Sequence, residues 1–145
     1  MFILALTFAV ASIPGITAKD PYPRGCVDCH NGTANTSITA VMKQLTQKAD
    51  ASLLTKAQAA APKGMTIKGK HPNVSTMVKD IPSSCLKCHA RGSKMAPPFA
   101  ELMHTVHLTG GDKNGYLSTF GGECTYCHKF NAATGQWSMP NAAEK

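Results

Sequence analysis

Three pairs of thiols, each pair spaced by two residues and followed at once by an imidazole, carry the chemistry of this chain. They are Cys26-Val27-Asp28-Cys29-His30, Cys85-Leu86-Lys87-Cys88-His89 and Cys124-Thr125-Tyr126-Cys127-His128. They use all six cysteines and three of the six histidines. Cys-x-x-Cys-His is the attachment pattern of a c-type haem. Two thiols at this spacing reach the two vinyl groups of one porphyrin, and the following histidine can give an axial nitrogen to the same iron. The sequence therefore predicts three haem c groups. Their thioether residues are Cys26, Cys29, Cys85, Cys88, Cys124 and Cys127, and their proximal iron ligands are His30, His89 and His128.

Other chemistries of paired cysteines fit less well. A structural zinc site wants four ligands, usually from two Cys-x-x-Cys pairs, so three pairs leave one over. Thioredoxin-like motifs sit in strand–helix–strand units, and no such pattern surrounds these. A disulfide framework explains six cysteines but not the trailing histidines.

Three irons need three further axial ligands, and three histidines remain: His71, His104 and His107. Each would coordinate as neutral imidazole, its other ring nitrogen held by a carbonyl, carboxylate or water. The competing ligands are Met42, Met65, Met77, Met95, Met103 and Met139. A methionine would raise the potential of its iron, but unbranched, soft Met more often fills gaps. The matching count favours three bis-histidine centres.

The elements that must present these ligands can be read in outline. His104 and His107 stand three apart in a segment that Pro98 opens and Gly110-Gly111 closes as a helix. That spacing puts both rings on one side of the helix, about 60° apart around its axis, so they can serve two neighbouring haems. His71 precedes Pro72, which pushes it towards extended geometry and suits a loop ligand. Ile38, Met42, Leu45, Ala49, Leu53, Ala57 and Ala60 mark an apolar stripe over Thr36–Ala61, with Ser37 or Thr36 as cap and a break near Ala49 if Asp50 starts a second helix. The Gly-rich stretch from Gly110 to Gly122 reads as a loop that lets backbone approach the third haem. Tyr126 and Trp137 are candidates to stack on that haem. No run alternates convincingly as a strand. The expected fold class is mainly α with extensive loops, a small haem-cored domain with little or no β-sheet.

With its three Cys-x-x-Cys-His motifs and the His104-Thr105-Val106-His107 element, the chain resembles a multihaem c-type cytochrome, in particular the small class III group with three or four bis-histidine haems. In that group an H-x-x-H pair ligates separate haems, and the resemblance implies the same of His104 and His107. It also implies haem attachment outside the cytoplasm. The long segment between His30 and Cys85 departs from the compact members of the group.

The apolar run Phe2–Ala11, followed by Pro14-Gly15 and the small residues before Lys19, reads as a secretory signal over residues 1–18, too short to span as a membrane helix. Residues 19–145 would then be a single three-haem domain with no transmembrane span, exported to the periplasm, the outside or the cell surface. The net charge is +7. Three oxidised haems, each with two propionates, would bring this to about +4, a modest basic surface for acidic redox partners. The lysines are dispersed and match no nucleic-acid module, so nucleic acid is not an expected partner. The expected function is electron transfer between extracytoplasmic redox partners, by an electron carrier and not an enzyme. Two alternatives stand beside it: a haem-wire subunit that polymerises with a distal histidine crossing to its neighbour, and a reductase with one open haem.

Overall fold

Short polar caps, more than long apolar runs, decide where this chain becomes helical. A computed structural model describes residues 19–144; the expected signal segment, residues 1–18, lies outside the described residues. Among the described residues six helices follow one another: α1 (Cys26–Cys29), α2 (Ile38–Gln47), α3 (Ala51–Ala59), α4 (Ser83–Leu86), α5 (Phe99–Leu108) and α6 (Gly115–Phe120). Tight 3-10 turns cover Gly111–Lys113 and Cys124–Tyr126, and a hairpin of β1 (Lys129–Asn131) and β2 (Gln136–Ser138) closes the order. The fold is mainly helical with extensive loops and one very small antiparallel sheet, in register Lys129↔Ser138, Phe130↔Trp137 and Asn131↔Gln136.

The apolar stripe over Thr36–Ala61 is two helices, not one. Ser37 Oγ accepts from Ala40 N at 3.2 Å, and Asp50 Oδ1 accepts from Leu53 N at 2.8 Å. Asp50 is extended (φ −67°, ψ 159°), which is what an N-cap requires and what interrupts the helix. The start of α2 is also capped from afar: the Glu144 carboxylate accepts from the amides of Ile38 and Thr39 and from the Thr39 hydroxyl. A carboxylate there answers both the unpaired amides and the positive end of the helix dipole.

The stretch from Gly110 to Gly122 is not the open loop its glycines suggest. Gly110 (φ 102°) ends α5, and α6 begins five residues later under the side chain of Asn114, which accepts from Tyr116 N at 2.9 Å. Pro98 stands one position before α5, as its N-cap with ψ 140°, so it directs the entry without occupying the first helical turn.

The buried apolar set among the described residues is small: Val27, Ala60, Ile81 and Phe99, with Pro82 and Pro97. Much of the cohesion comes from ties between distant segments. The C-terminal tail pairs with Ile81 through Ala142, offers Asn141 Oδ1 to Ser83 N at 2.9 Å, and lays Pro140 against Gly25. Gly25 has φ 63°, and a β-carbon there would meet Pro140 at 3.1 Å, so only glycine fits just ahead of the first motif. The tail thus connects α2 to the first and second motifs.

Candidate redox centres

Each motif folds into the same local unit. The amide of the histidine donates to the carbonyl of the first cysteine four residues back: His30 to Cys26 at 2.8 Å, His89 to Cys85 at 2.9 Å and His128 to Cys124 at 2.8 Å. One such turn brings both thiols and the imidazole towards a common space. In the first motif Asp28 fastens the turn, accepting from Arg24 N at 2.7 Å and from Arg24 Nε at 2.8 Å. All six cysteines are free thiols. Burial pushes the Cys26 thiol up to about 11, with Cys127 adding to the rise. Burial likewise raises Cys29, Cys85 and Cys127. Thiols raised in this way stay protonated at neutral pH.

The histidines that lie outside the motifs are carried by two kinds of element. His104 and His107 lie on α5. The C-terminal carbonyls of that helix are gathered by two neighbours. Lys56 Nζ, from α3, donates to Val106 O at 3.0 Å and Thr109 O at 3.1 Å, while Asn114 Nδ2 donates to the same two oxygens at 2.9 and 2.7 Å. His71 lies in the extended segment after α3. Two backbone bonds fix it to the α2–α3 turn, from His71 N to Leu45 O and from Ala49 N to Gly69 O, both 2.9 Å.

The six imidazoles meet in three pairs, each joining one motif histidine to one histidine from outside the motifs. His30 faces His107 with ring centroids 6.2 Å apart, His89 faces His71 at 6.0 Å, and His128 faces His104 at 6.1 Å. Aromatic rings in simple contact take any spacing over about 4.5–7 Å. Three nearly equal values have a common explanation if one metal ion lies between each pair. Two metal–nitrogen bonds of about 2.0 Å, with about 1.2 Å from each nitrogen to its ring centre, give about 6.4 Å. Slight tilting of the rings shortens this.

Ring orientation agrees with that use. Nδ1 of His30 donates to Thr36 O (2.8 Å), that of His71 to Pro72 O (2.8 Å), that of His89 to Pro97 O (2.7 Å) and that of His107 to Met103 O (2.9 Å). A carbonyl only accepts, so each Nδ1 carries the hydrogen and each Nε2 offers a lone pair. This is the second contact typical of a metal-ligating histidine. Burial also holds His107 below the usual imidazole range, favouring its neutral form. No cluster of three or more His, Cys, Asp or Glu able to hold a metal occurs among the described residues. Two imidazoles alone leave a metal short of ligands, and a porphyrin supplies the four equatorial nitrogens that complete the set. The residues present fit haem, and the methionines lie outside every pair; Met95 is 73% exposed.

The third pair is bordered by aromatic side chains. Tyr126 packs on Tyr22 (4.5 Å), and Trp137 pairs with Phe130 (5.2 Å) while remaining 59% exposed. Both Tyr126 and Trp137 line a cleft of about 430 Å³ that includes His128. They flank the third centre as a rim. Sequence reading passed over Tyr116 altogether. It lies edge-on to His107 at 5.4 Å and its hydroxyl donates to Glu123 O at 2.5 Å, just ahead of the third motif. Its backbone signal, an Asn cap two residues earlier, was legible.

Compared with protein-family models, with curated proteins and with solved structures, the chain matches none. No helix among the described residues is long and apolar enough to cross a membrane.

Proposed function

We propose that the chain is a c-type cytochrome that carries electrons through three covalently attached, bis-histidine haems, in the manner of the small class III group it resembles. The observation that carries this reading is the triple pairing His30–His107, His71–His89 and His104–His128 at 6.0–6.2 Å. Bound haem supplies a reversible one-electron change at iron. The chain's own residues do the rest. Each cysteine would hold the group through its sulfur, its S–H adding across a vinyl group without need of an oxidant. Each histidine would offer Nε2 to the iron, with His30, His71, His89 and His107 oriented by Nδ1 bonds to carbonyls, and a site filled in this way would leave no position for a substrate. Two imidazoles also keep the potential below that of a Met/His site.

All three distal histidines find their partners within one chain, which favours a self-contained carrier over a wire that borrows a neighbour's ligand. No histidine is left over to serve an open catalytic site. In this reading the protein works outside the cytoplasm, and its modest positive charge suits an acidic redox protein as donor or acceptor. The test is the purified holoprotein. Three haems per chain by the alkaline pyridine spectrum, all low-spin by EPR of the oxidised form, are expected. A stoichiometric high-spin haem, or fewer than three haems, would overturn it.

A further inference from the structure

The first and third pairs are linked by more than α5. From His107 a run of rings passes through Tyr116 (5.4 Å, interplanar angle 83°), Phe120 (6.2 Å, 25°), Tyr22 (6.1 Å, 75°) and Tyr126 (4.5 Å, 58°), inside the third motif. Tyr116 is the member that touches both ends. Its ring edge abuts the His107 imidazole, and its hydroxyl donates to Glu123 O, beside Cys124. Its backbone amide is fixed by Asn114, which is buried (7% exposed) and also holds the last carbonyls of α5. Among the described residues nothing comparable reaches His71 or His89, which stack on each other at 15° and donate through Nδ1 to the carbonyls of Pro72 and Pro97.

We propose that Tyr116 is a positioning residue that locks the first and third centres into one rigid pair, with the second centre standing outside it. The ring sets the plane of His107 against His30, and the hydroxyl sets the third motif against α5. This rests on the haem reading above. The two parts of the side chain act on different centres, and that division makes the role testable.

The probe is EPR of the ferric holoprotein in wild type, Tyr116→Phe and Tyr116→Leu. Parallel axial imidazole planes separate the two iron d orbitals they both engage, whereas perpendicular planes leave those orbitals nearly equal and the signal strongly anisotropic. The pair angles of 81°, 15° and 50° therefore give the first, second and third centres distinguishable low-spin signals. Tyr116→Leu is expected to shift the first and third signals and leave the second in place. Tyr116→Phe keeps the ring and loses the hydroxyl, so it should restore the first signal while the third stays shifted. An unmoved first signal in Tyr116→Leu, or an equal shift of all three, would overturn the proposal. If the Leu variant does not assemble, Tyr116→Phe decides alone: a third signal that does not move sinks the idea. Failure of the haem reading would already be visible in wild type, as missing or high-spin haem.

Discussion

The His71–His89 pair and the two pairs built on α5 bring imidazoles together on two kinds of scaffold. His104 and His107 come from α5, whose far end is held by Lys56 and Asn114. His71 comes from an extended segment held by two backbone bonds to the α2–α3 turn. A helix fixes ring direction through the backbone of a whole turn, whereas a loop fixes it through a few local bonds. The first and third centres should therefore be stiff and mutually dependent, and the second compliant and independent.

The sharpest break of that contrast is removal of a distal ligand. His107→Gly and His71→Gly are each expected to turn one low-spin haem high-spin and leave two untouched, as read by EPR. Added imidazole should restore the low-spin signal at lower concentration in His71→Gly, because a loop yields space that α5 cannot. Equal rescue would mean the two scaffolds are equally rigid.

Next in size is Asn114→Ala. It removes one of the two donors that reach the Val106 and Thr109 carbonyls, leaving Lys56, and it removes the cap of α6, which together should cost about 1–3 kcal/mol in thermal or urea unfolding. It should also disturb the first and third EPR signals but not the second. Asp50→Ala is milder, about 1 kcal/mol for a lost N-cap, and any spectral change should be confined to the second centre, whose loop is tied beside it.

Acid gives the smallest and most general effect. His107 is held below its unfolded value of 6.5 by burial. The unfolded chain then binds more protons than the folded one near and below that value. The contribution is complete above pH 6.5 and is lost as pH falls. The urea midpoint of the holoprotein should be lower at about pH 5.5 than at about pH 7.5, the range in which an unfolded imidazole titrates. The reverse slope would contradict the buried, neutral ligand.

The candidate motif residues stand out by residue type because the pattern is local: two thiols and an imidazole within five positions. The mainly helical fold was legible too, including the break at Asp50, whose side chain can cap only what begins after it. The pairing of rings was not, because nothing in the neighbourhood of His30 names His107. The Gly110–Gly122 stretch misled for a related reason. Glycines are conspicuous and argue for a loop, while Asn114, Tyr116 and Phe120 argue for a short helix only once a partner surface is known. The hairpin escaped notice because three-residue strands such as Lys129–Asn131 are too short to show alternation.

The spans enclosed by the three histidine pairs bear on the order in which the centres can be completed. His71 and His89 are 18 positions apart, His104 and His128 are 24, and His30 and His107 are 77. Loop closure over the longest span costs about 1.3 kcal/mol more in chain entropy than over the shortest. The difference in timing is larger than that energy suggests. As the chain emerges from its N-terminus, His89 follows a partner histidine already present, whereas His30 waits a further 77 positions for His107. If haem is attached in chain order, as the proposed function implies, a chaperone guarding the first haem would have to hold it through the closure of the second pair.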